Sequence, residues 1–565
     1  MDKISDINNK SHSPIQACLT ERKDGLLFVS LIFLFTFLAY IPAMRGGFIW
    51  DDDAHAISGI VTSTGTLDAL RRIWLTTESQ QYYPMVYTTF AIERLLWGFD
   101  PMGYHIVNVF LHTANSIFVY LVFSYLGFRR AWLIGFIFAL HPVHVESVAW
   151  ISERKNVLSG LFYLLSFMCY LKFEDRYGIK WYAASLLSFV LAILSKTVVS
   201  TLPLVIVLAC WMRGKRLGLK EVLPLVPYFV LGLIMGIVTI WWETNLVGTK
   251  SESWDLDFFD RVVLAGRVIW FYIGKLLLPL NLSFIYPRWQ IDASSPLQWI
   301  YTAGAAGVCV LLWLVQNRIG RKPFFCFAYF VITLFPALGF FNVYPFKFSF
   351  VADHFQYLAS IGIIAILTAF FFQIIERLDA IRKKSAVFKI LLAGVFLSFL
   401  WILTFKQGFI YKDKITLWED TLKKNPGAWL AHINLCYELL LKGKTDEAIY
   451  HSKKALELNN SEARLHYYMG FTYFKKSNIL TSQGMNDEAL LYNEKAISHY
   501  KEAIHLKPAV YEPIYNDLGV SLLKKGDIEG AVTQFRMALI LKPDFKEAKN
   551  NLNFAINILI QSSPK

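Results

Sequence analysis

Gly47-Phe-Ile-Trp-Asp-Asp-Asp-Ala-His55 follows directly on the first long apolar run of the chain, residues 26–44. A run of that kind crosses a hydrocarbon core of about 30 Å as a helix. Asp51, Asp52 and Asp53 are thereby set at the water edge of a membrane. Charge is costly there, so an ionisable cluster at that edge reads as a site. A carboxylate held there can take a proton from an acceptor while a lipid-linked molecule stays in the bilayer. The plainer reading is that acidic residues end a helix at the interface, which accounts for one Asp better than for three.

The rest of the composition agrees with a membrane protein that carries a soluble part. Of 565 residues, 55% are hydrophobic, 16% aromatic and 18% charged, against about 25% charged in soluble domains. The net charge of +13 would suit nucleic acid. The basic residues instead cluster in short loops between apolar runs, so membrane topology explains them and no nucleic-acid partner is expected. The six cysteines (Cys18, Cys169, Cys210, Cys309, Cys326, Cys436) show no ligand spacing and no disulfide framework. Residues 1–25 are polar and no small-residue cleavage site follows the first run, so a retained helix is expected rather than a signal peptide.

Apolar runs lie near residues 26–44, 104–126, 131–150, 156–171, 181–195, 198–212, 222–242, 262–280, 297–316, 324–341, 357–375 and 386–405. Arg129-Arg130, Lys172/Arg176/Lys180, Arg213/Lys215/Arg216, Arg318/Arg321/Lys322 and Arg377/Arg382/Lys383/Lys384 should face the cytoplasm. That alternation requires one run not to cross. The run 262–280 holds Arg267 and Lys275 and ends at Pro279, so it reads as re-entrant or interfacial, with irregular backbone lining a cavity. The expectation is an all-α chain with about eleven spans. A cytoplasmic segment 1–25 precedes a membrane domain 26–410, whose first external loop is 45–103. The acidic loop, the His141–Lys155 turn, the Asp353 loop and the tail then share the external face.

From residue 411 the chain turns soluble and repetitive. Tyr515, Leu518, Gly519, Leu522, Gly526, Ala531, Phe535, Ala538 and Pro543 occupy the small, large and turn positions of a 34-residue helix–turn–helix unit. Residues 429–462 repeat it with Leu435, Gly443, Ala448 and Ala455. A third copy starts near Ala463 and resumes with Ala496, Tyr500, Ala503 and Pro508, with about fourteen residues around 477–490 inserted between its helices. This predicts a tetratricopeptide solenoid over 411–565, with a half repeat before it and a capping helix after it. Such solenoids bind partners on a concave face and seldom do chemistry.

Chemistry-bearing residues recur on the expected external face. His105, Asn108 and His112 share one face of a membrane helix, where polar side chains also serve plain helix–helix bonding. In His141-Pro-Val-His-Val-Glu146, His141, His144 and Glu146 could bind a divalent metal or orient a phosphate by hydrogen bonds. Arg154 and Lys155 break the positive-inside trend. They call for an anion, either a lipid phosphate or a carboxylate such as Glu146 or Glu153. Lys196 and the pair Asp353-His354 add a cation, an acid and an imidazole. Acids that deprotonate a hydroxyl and cations that hold a departing phosphate are what glycosyl transfer from a lipid phosphate requires.

Phe48-Ile-Trp-Asp-Asp-Asp53, Tyr82-Tyr-Pro84, Gly103-Tyr-His-Ile-Val-Asn108, His141-Pro-Val-His-Val-Glu146, Glu153-Arg-Lys-Asn156 and Asp353-His…Tyr357 together resemble the transmembrane and tetratricopeptide-repeat proteins of the GT-C glycosyltransferase superfamily. The resemblance spans nearly the whole chain. It implies an inverting membrane glycosyltransferase that moves a sugar, such as mannose, from a polyprenyl-phosphate donor to an acceptor hydroxyl, such as a protein Ser or Thr. It implies catalysis by Asp51 and Asp52, without saying which is the base, and a further functional acid at Glu146. His105, His141, His144, Glu146, Arg154, Lys155, Lys196, Asp353 and His354 are the candidates for holding the donor phosphate. A metal, if one is needed, would fall to His141 and Glu146. The repeats would take the protein acceptor. Asp353-His354 stands where many members have Glu-Arg, and the tail has about three repeats, fewer than in the animal proteins. The short tail and lack of a cysteine framework suggest a bacterial inner membrane with a periplasmic tail. The endoplasmic reticulum is the alternative, where Asn281-Leu-Ser283 and Asn459-Asn-Ser461 would be glycosylation sites. Two other functions stay open: a non-enzymatic scaffold, and a polysaccharide polymerase or ligase.

Overall fold

The computed structural model describes residues 14–62, 65–176, 178–247, 256–382, 386–508 and 512–562. Residues 1–13 of the N-terminal segment, with Lys383 and Lys384, lie outside the described residues. Every helix or strand element among the described residues is helical. The chain forms two compact units, one of residues 1–284 with 288–413 and one of residues 285–287 with 414–565.

In the first unit, six helices are long and apolar enough to cross a membrane: Pro101–Tyr125, Ile151–Asp175, Leu219–Leu246, Pro296–Ile319, Ser360–Arg377 and Leu391–Tyr411. A seventh candidate is the pair Ala131–Leu140 and Pro142–Ala149, bent by 54°. The shorter apolar helices Gly25–Ala39, Ile179–Ile193, Thr197–Met212 and Lys322–Ala337 take up the other runs. The fold is therefore that of a multi-pass membrane protein, and it does not by itself set the count at eleven. Residues 258–277 differ from the sequence reading. They form one regular helix of 20 residues rather than irregular backbone. Its apolar side, from Val263 to Leu276, is buried, which gives the segment a reason to stay helical despite Arg267 and Lys275.

The bend at His141 has a local cause. The residue before a proline is driven out of the α region, and His141 is extended at ψ 124 ahead of Pro142. The broken segment then runs through the protein interior, with residues 139–154 all buried. Its carbonyls are met from Pro101–Tyr125, whose Asn108 donates to Val148, Trp150 and Ile151. The segment expected as a turn is a polar strap buried within the protein.

The second unit stacks helix pairs Trp429–Leu441 with Thr445–Leu458, Ala463–Ser482 with Asn486–Leu506, and Glu512–Lys525 with Ile528–Leu541. Lys414–Lys424 precedes them and Lys546–Ser562 follows. The fourteen extra residues of the middle repeat do not form a loop. Its helices have 20 and 21 residues against 13 and 14 in the first repeat, so the addition lengthens each by about two turns. Gly443, Gly484 and Gly526 make the turns within the repeats at φ 74, 79 and 90, a region that favours glycine. A Cβ at Gly519 would sit 2.6 Å from the Phe535 ring, which is why the small position must be small.

Candidate active site

Trp50 turns the chain between the short helices Ile41–Met44 and Asp52–His55. Its φ of 45 is a left-handed conformation that bulky residues seldom adopt, and strain of this kind gathers at functional sites. The turn delivers Asp51 to the start of the short helix Asp52–His55. One helical turn on, His55 lies over Asp51, with Nε2 3.3 Å from Oδ2. The other ring nitrogen, Nδ1, faces the Tyr87 hydroxyl at 2.6 Å. If the Tyr87 hydroxyl donates to Nδ1, the Nε2–H is left to donate to Asp51. The second oxygen of Asp51, Oδ1, is buried with no hydrogen-bond partner.

Asp52 is held quite differently. Its Oδ2 accepts from the Ile49 amide at 2.9 Å. Its Oδ1 accepts from the Ser152 amide at 2.8 Å and the Ser152 hydroxyl at 2.6 Å. Asp52 thus ties the acidic loop to the buried strap. Burial, reinforced by the charge of Asp51, pushes its carboxyl up to about 7 despite these bonds. Burial acts the same way on Asp51. There the pull of His55, by charge and hydrogen bond, and the charge of Lys155 outweigh it and hold the carboxyl below its ordinary value. Two neighbouring carboxyls are thus driven apart, one ionised and one ready to hold a proton near neutrality. Such a split is a mark of acid–base sites.

The strap supplies the second half of the site. Glu153 is fully buried and is ion-paired through Oε1 to Lys155 at 2.8 Å and through Oε2 to Lys196 at 3.4 Å. Asn156 bonds both Glu153, at 2.6 Å, and Lys196, at 2.7 Å. His354 places Nδ1 2.8 Å from Glu146 and Nε2 3.8 Å from Glu153. Glu146 keeps its other oxygen, Oε2, buried and unpartnered. Lys155 and Glu153 both act electrostatically on Asp51, which joins the two halves. The assembly offers a carboxylate with one unpartnered oxygen and two ammonium groups, Lys196 buried and Lys155 largely so, the combination needed to activate a hydroxyl and neutralise a phosphate.

Asp51, Asp52, Glu146, Lys155, Lys196 and His354 are brought together. The other candidates are turned elsewhere. Arg154 is fully buried and forms an ion pair with Glu93, with further bonds to Asn108 and to the Tyr104 carbonyl at 2.9 Å. That pairing directs the guanidinium to Glu93, away from the Lys155–Glu153–Lys196 group. His141 donates to the Leu276 carbonyl at 3.1 Å and accepts from the Val143 amide at 3.4 Å. His144 donates to the Phe138 carbonyl at 2.7 Å and meets Ser360 at 2.9 Å. Their ring nitrogens are therefore spent on holding the bend, and His112 does the same between Tyr357 and the Ala139 carbonyl. His105 is buried beside Gly46, and Asp353 is buried next to His354. No group of three His, Cys, Asp or Glu among the described residues is arranged to hold a metal.

Comparison of the whole chain with known proteins returns one group of relatives. Its homologues are the TMTC protein O-mannosyl-transferases. The human protein O-mannosyl-transferase TMTC3 is 22% identical over 563 residues, covering 90% of this chain and 60% of that protein. The mouse TMTC3 protein is 24% identical, covering 92% of this chain and 60% of that one. The Xenopus laevis protein O-mannosyl-transferase tmtc2 is 30% identical over 243 residues, 38% of this chain and 28% of that protein. The chain thus spans 60% of the length of the TMTC3 relatives. A family model described as TPR repeat matches residues 437–477. Among solved structures, the crystal structure of yeast Tom70 aligns with 81% of this chain and 96% of that one at 15% identity, with a TM-score of 0.23, too low to inform the fold. These TMTC relatives are animal proteins and lend no support to a bacterial inner membrane.

Sequence reasoning missed His55, Tyr87, Ser152 and Asn156, and took Glu153 only as a partner for a cation. His55 carried a signal, since it lies four residues after Asp51. Tyr87 carried none, because its place depends on how the helix Pro84–Trp97 packs.

Proposed function

We propose that this protein is an inverting glycosyltransferase that moves a sugar from a polyprenyl-phosphate donor to a hydroxyl of a protein acceptor, and that it belongs to the GT-C type. The observation that carries the reading is the buried, unpartnered Oδ1 of an ionised Asp51 that feels the charges of the Lys155–Glu153–Lys196 group. The activity for which the TMTC relatives are named, protein O-mannosyl transfer, supports mannose as the sugar.

Asp51 Oδ1 takes the proton of the acceptor hydroxyl as the hydroxyl oxygen bonds to the anomeric carbon. The bond from that carbon to the phosphate oxygen breaks on the opposite face, and the electron pair leaves with the phosphate. Lys155 and Lys196 offset the charge that grows there, the electrostatic contribution expected to be largest in such a site. His55 orients Asp51, and Tyr87 fixes the tautomer that lets it do so. Asp52 holds the loop and the strap in register.

The test uses purified full-length protein in detergent, a radiolabelled short-chain polyprenyl-phosphate mannose and a Ser/Thr-rich peptide. Label should appear in the peptide, with slow release of free sugar when peptide is left out. A protein that neither transfers nor hydrolyses this donor and any other lipid-phosphate hexose would end the enzyme reading.

A further inference from the structure

The string Gln81-Tyr82-Tyr83 has no part in the mechanism above, yet it lines a cleft. Its other walls are Thr239, Trp242 and Glu243, at the end of the helix Val226–Trp242 and the start of the wide π-type turn Glu243–Val247. Such turns are rare and gather at functional sites. The Tyr82 and Trp242 rings lie 5.2 Å apart at an interplanar angle of 35° and form an aromatic wall. Trp242 is fixed by its indole N–H, which donates to the Ser79 carbonyl at 3.1 Å. Across the cleft, the Gln81 amide donates to Glu243 Oε1 at 3.2 Å. Gln81 Oε1 is buried with no partner, so the floor still offers an acceptor. The enclosed part has room for about one water-sized group, and the mouth is open.

Carboxylate and amide oxygens at the floor accept O–H bonds, whereas the Glu243 carboxylate repels an anion. Aromatic faces suit the apolar C–H side of a ring that is polar at its edge. Lys155 acts electrostatically on both Tyr83 and Glu243, so the cleft lies within the field of the cation assigned to the phosphate. A neutral polyhydroxylated group attached to that phosphate fits both conditions. We propose that the cleft receives the hexosyl group of the donor, with one hydroxyl between Gln81 and Glu243 and the ring laid against Tyr82. This rests on the donor reading above.

The experiment compares equilibrium binding of farnesyl-phosphate mannose and of farnesyl phosphate to the full-length protein and to Tyr82→Ala, Tyr82→Phe and Glu243→Gln. The unaltered protein should bind the sugar-bearing lipid at least 10-fold tighter. Tyr82→Ala and Glu243→Gln should cut that margin to within about 2-fold while leaving farnesyl phosphate binding within about 2-fold, and Tyr82→Phe should keep the margin. Farnesyl phosphate binding with no margin for the sugar, or a margin that survives Tyr82→Ala and Glu243→Gln, overturns this site and leaves the donor reading standing. Failure of the unaltered protein to bind either lipid overturns both.

Discussion

Asp51 and His55 are one helical turn apart, and the imidazole meets the carboxylate at 3.3 Å while its far nitrogen meets Tyr87. The pair makes an oriented base out of four consecutive peptide units.

His55 favours the ionised form of Asp51, so its removal should raise that group's pKa. In His55→Leu the acidic limb of the kcat/KM profile should move to higher pH, with kcat falling about 10-fold or more within the range of general-base effects. His55→Gln, which can still donate, should recover part of the loss. A pH–rate series of both variants checks this, with Lys155, Glu153 and Asp52 left in place as the other charges facing Asp51. Equal loss in both variants without a pH shift would reduce His55 to a packing residue.

Asp52 gives a stability signature of opposite sign. Its folded pKa, about 7, lies above the ordinary value of 3.8. A group raised on folding stabilises most below its unfolded pKa, and that contribution is lost as pH rises through the folded pKa. Thermal melts of the unaltered protein and Asp52→Asn between pH 5 and 9 should show the unaltered protein losing ground as pH rises from 5 toward about 7, with no further loss above that. Asp52→Ala should destabilise at every pH by about 1–3 kcal/mol, because it leaves the donors of Ile49 and Ser152 without their acceptor.

The adjacent cations Arg154 and Lys155 should separate cleanly. Lys155→Ala and Lys196→Ala should raise the donor KM more than the acceptor KM. Arg154→Ala should instead lower stability by about 3–5 kcal/mol, the usual result of leaving a buried carboxylate, here Glu93, without its partner. Steady-state kinetics against both substrates, run beside thermal melts, distinguishes the two. A selective donor effect in a stable Arg154→Ala protein would restore it as a phosphate ligand.

The difference between those neighbours shows what was legible in the sequence. Topology violation marked Arg154 and Lys155 as needing an anion, and both have one. Which anion depends on the quarter turn or so of helix between them, which points one at Glu93 and the other at Glu153. The histidines of the bend have partners that the sequence did not show, for a related reason. A proline break leaves carbonyls without intrahelical partners, and imidazoles that satisfy them look, in sequence, like ligands. The repeats were legible because small and large positions recur at fixed spacing. Even there the extra residues lengthened two helices, a choice made by packing.

The tail bears on the acceptor. Deletion of residues 414–565 should weaken transfer to a protein acceptor by about 10-fold or more, as loss of one of two linked contacts does. Slow hydrolysis of the lipid-linked sugar should persist, since the proposed chemistry lies in residues 51–196 and 354. Both rates are read on a truncation that elutes as a single species. Full transfer by that truncation would rule out acceptor capture by the repeats.

The central claim is that Asp51 is the base, and single-turnover transfer by Asp51→Asn tests it most directly. Preloaded with lipid-phosphate mannose and mixed with peptide, Asp51→Asn should transfer about 10²–10⁴-fold more slowly than the unaltered protein. Its donor Kd should be unchanged, and Asp52→Asn should be less impaired wherever it folds. Transfer by Asp51→Asn at the unaltered rate would contradict the account.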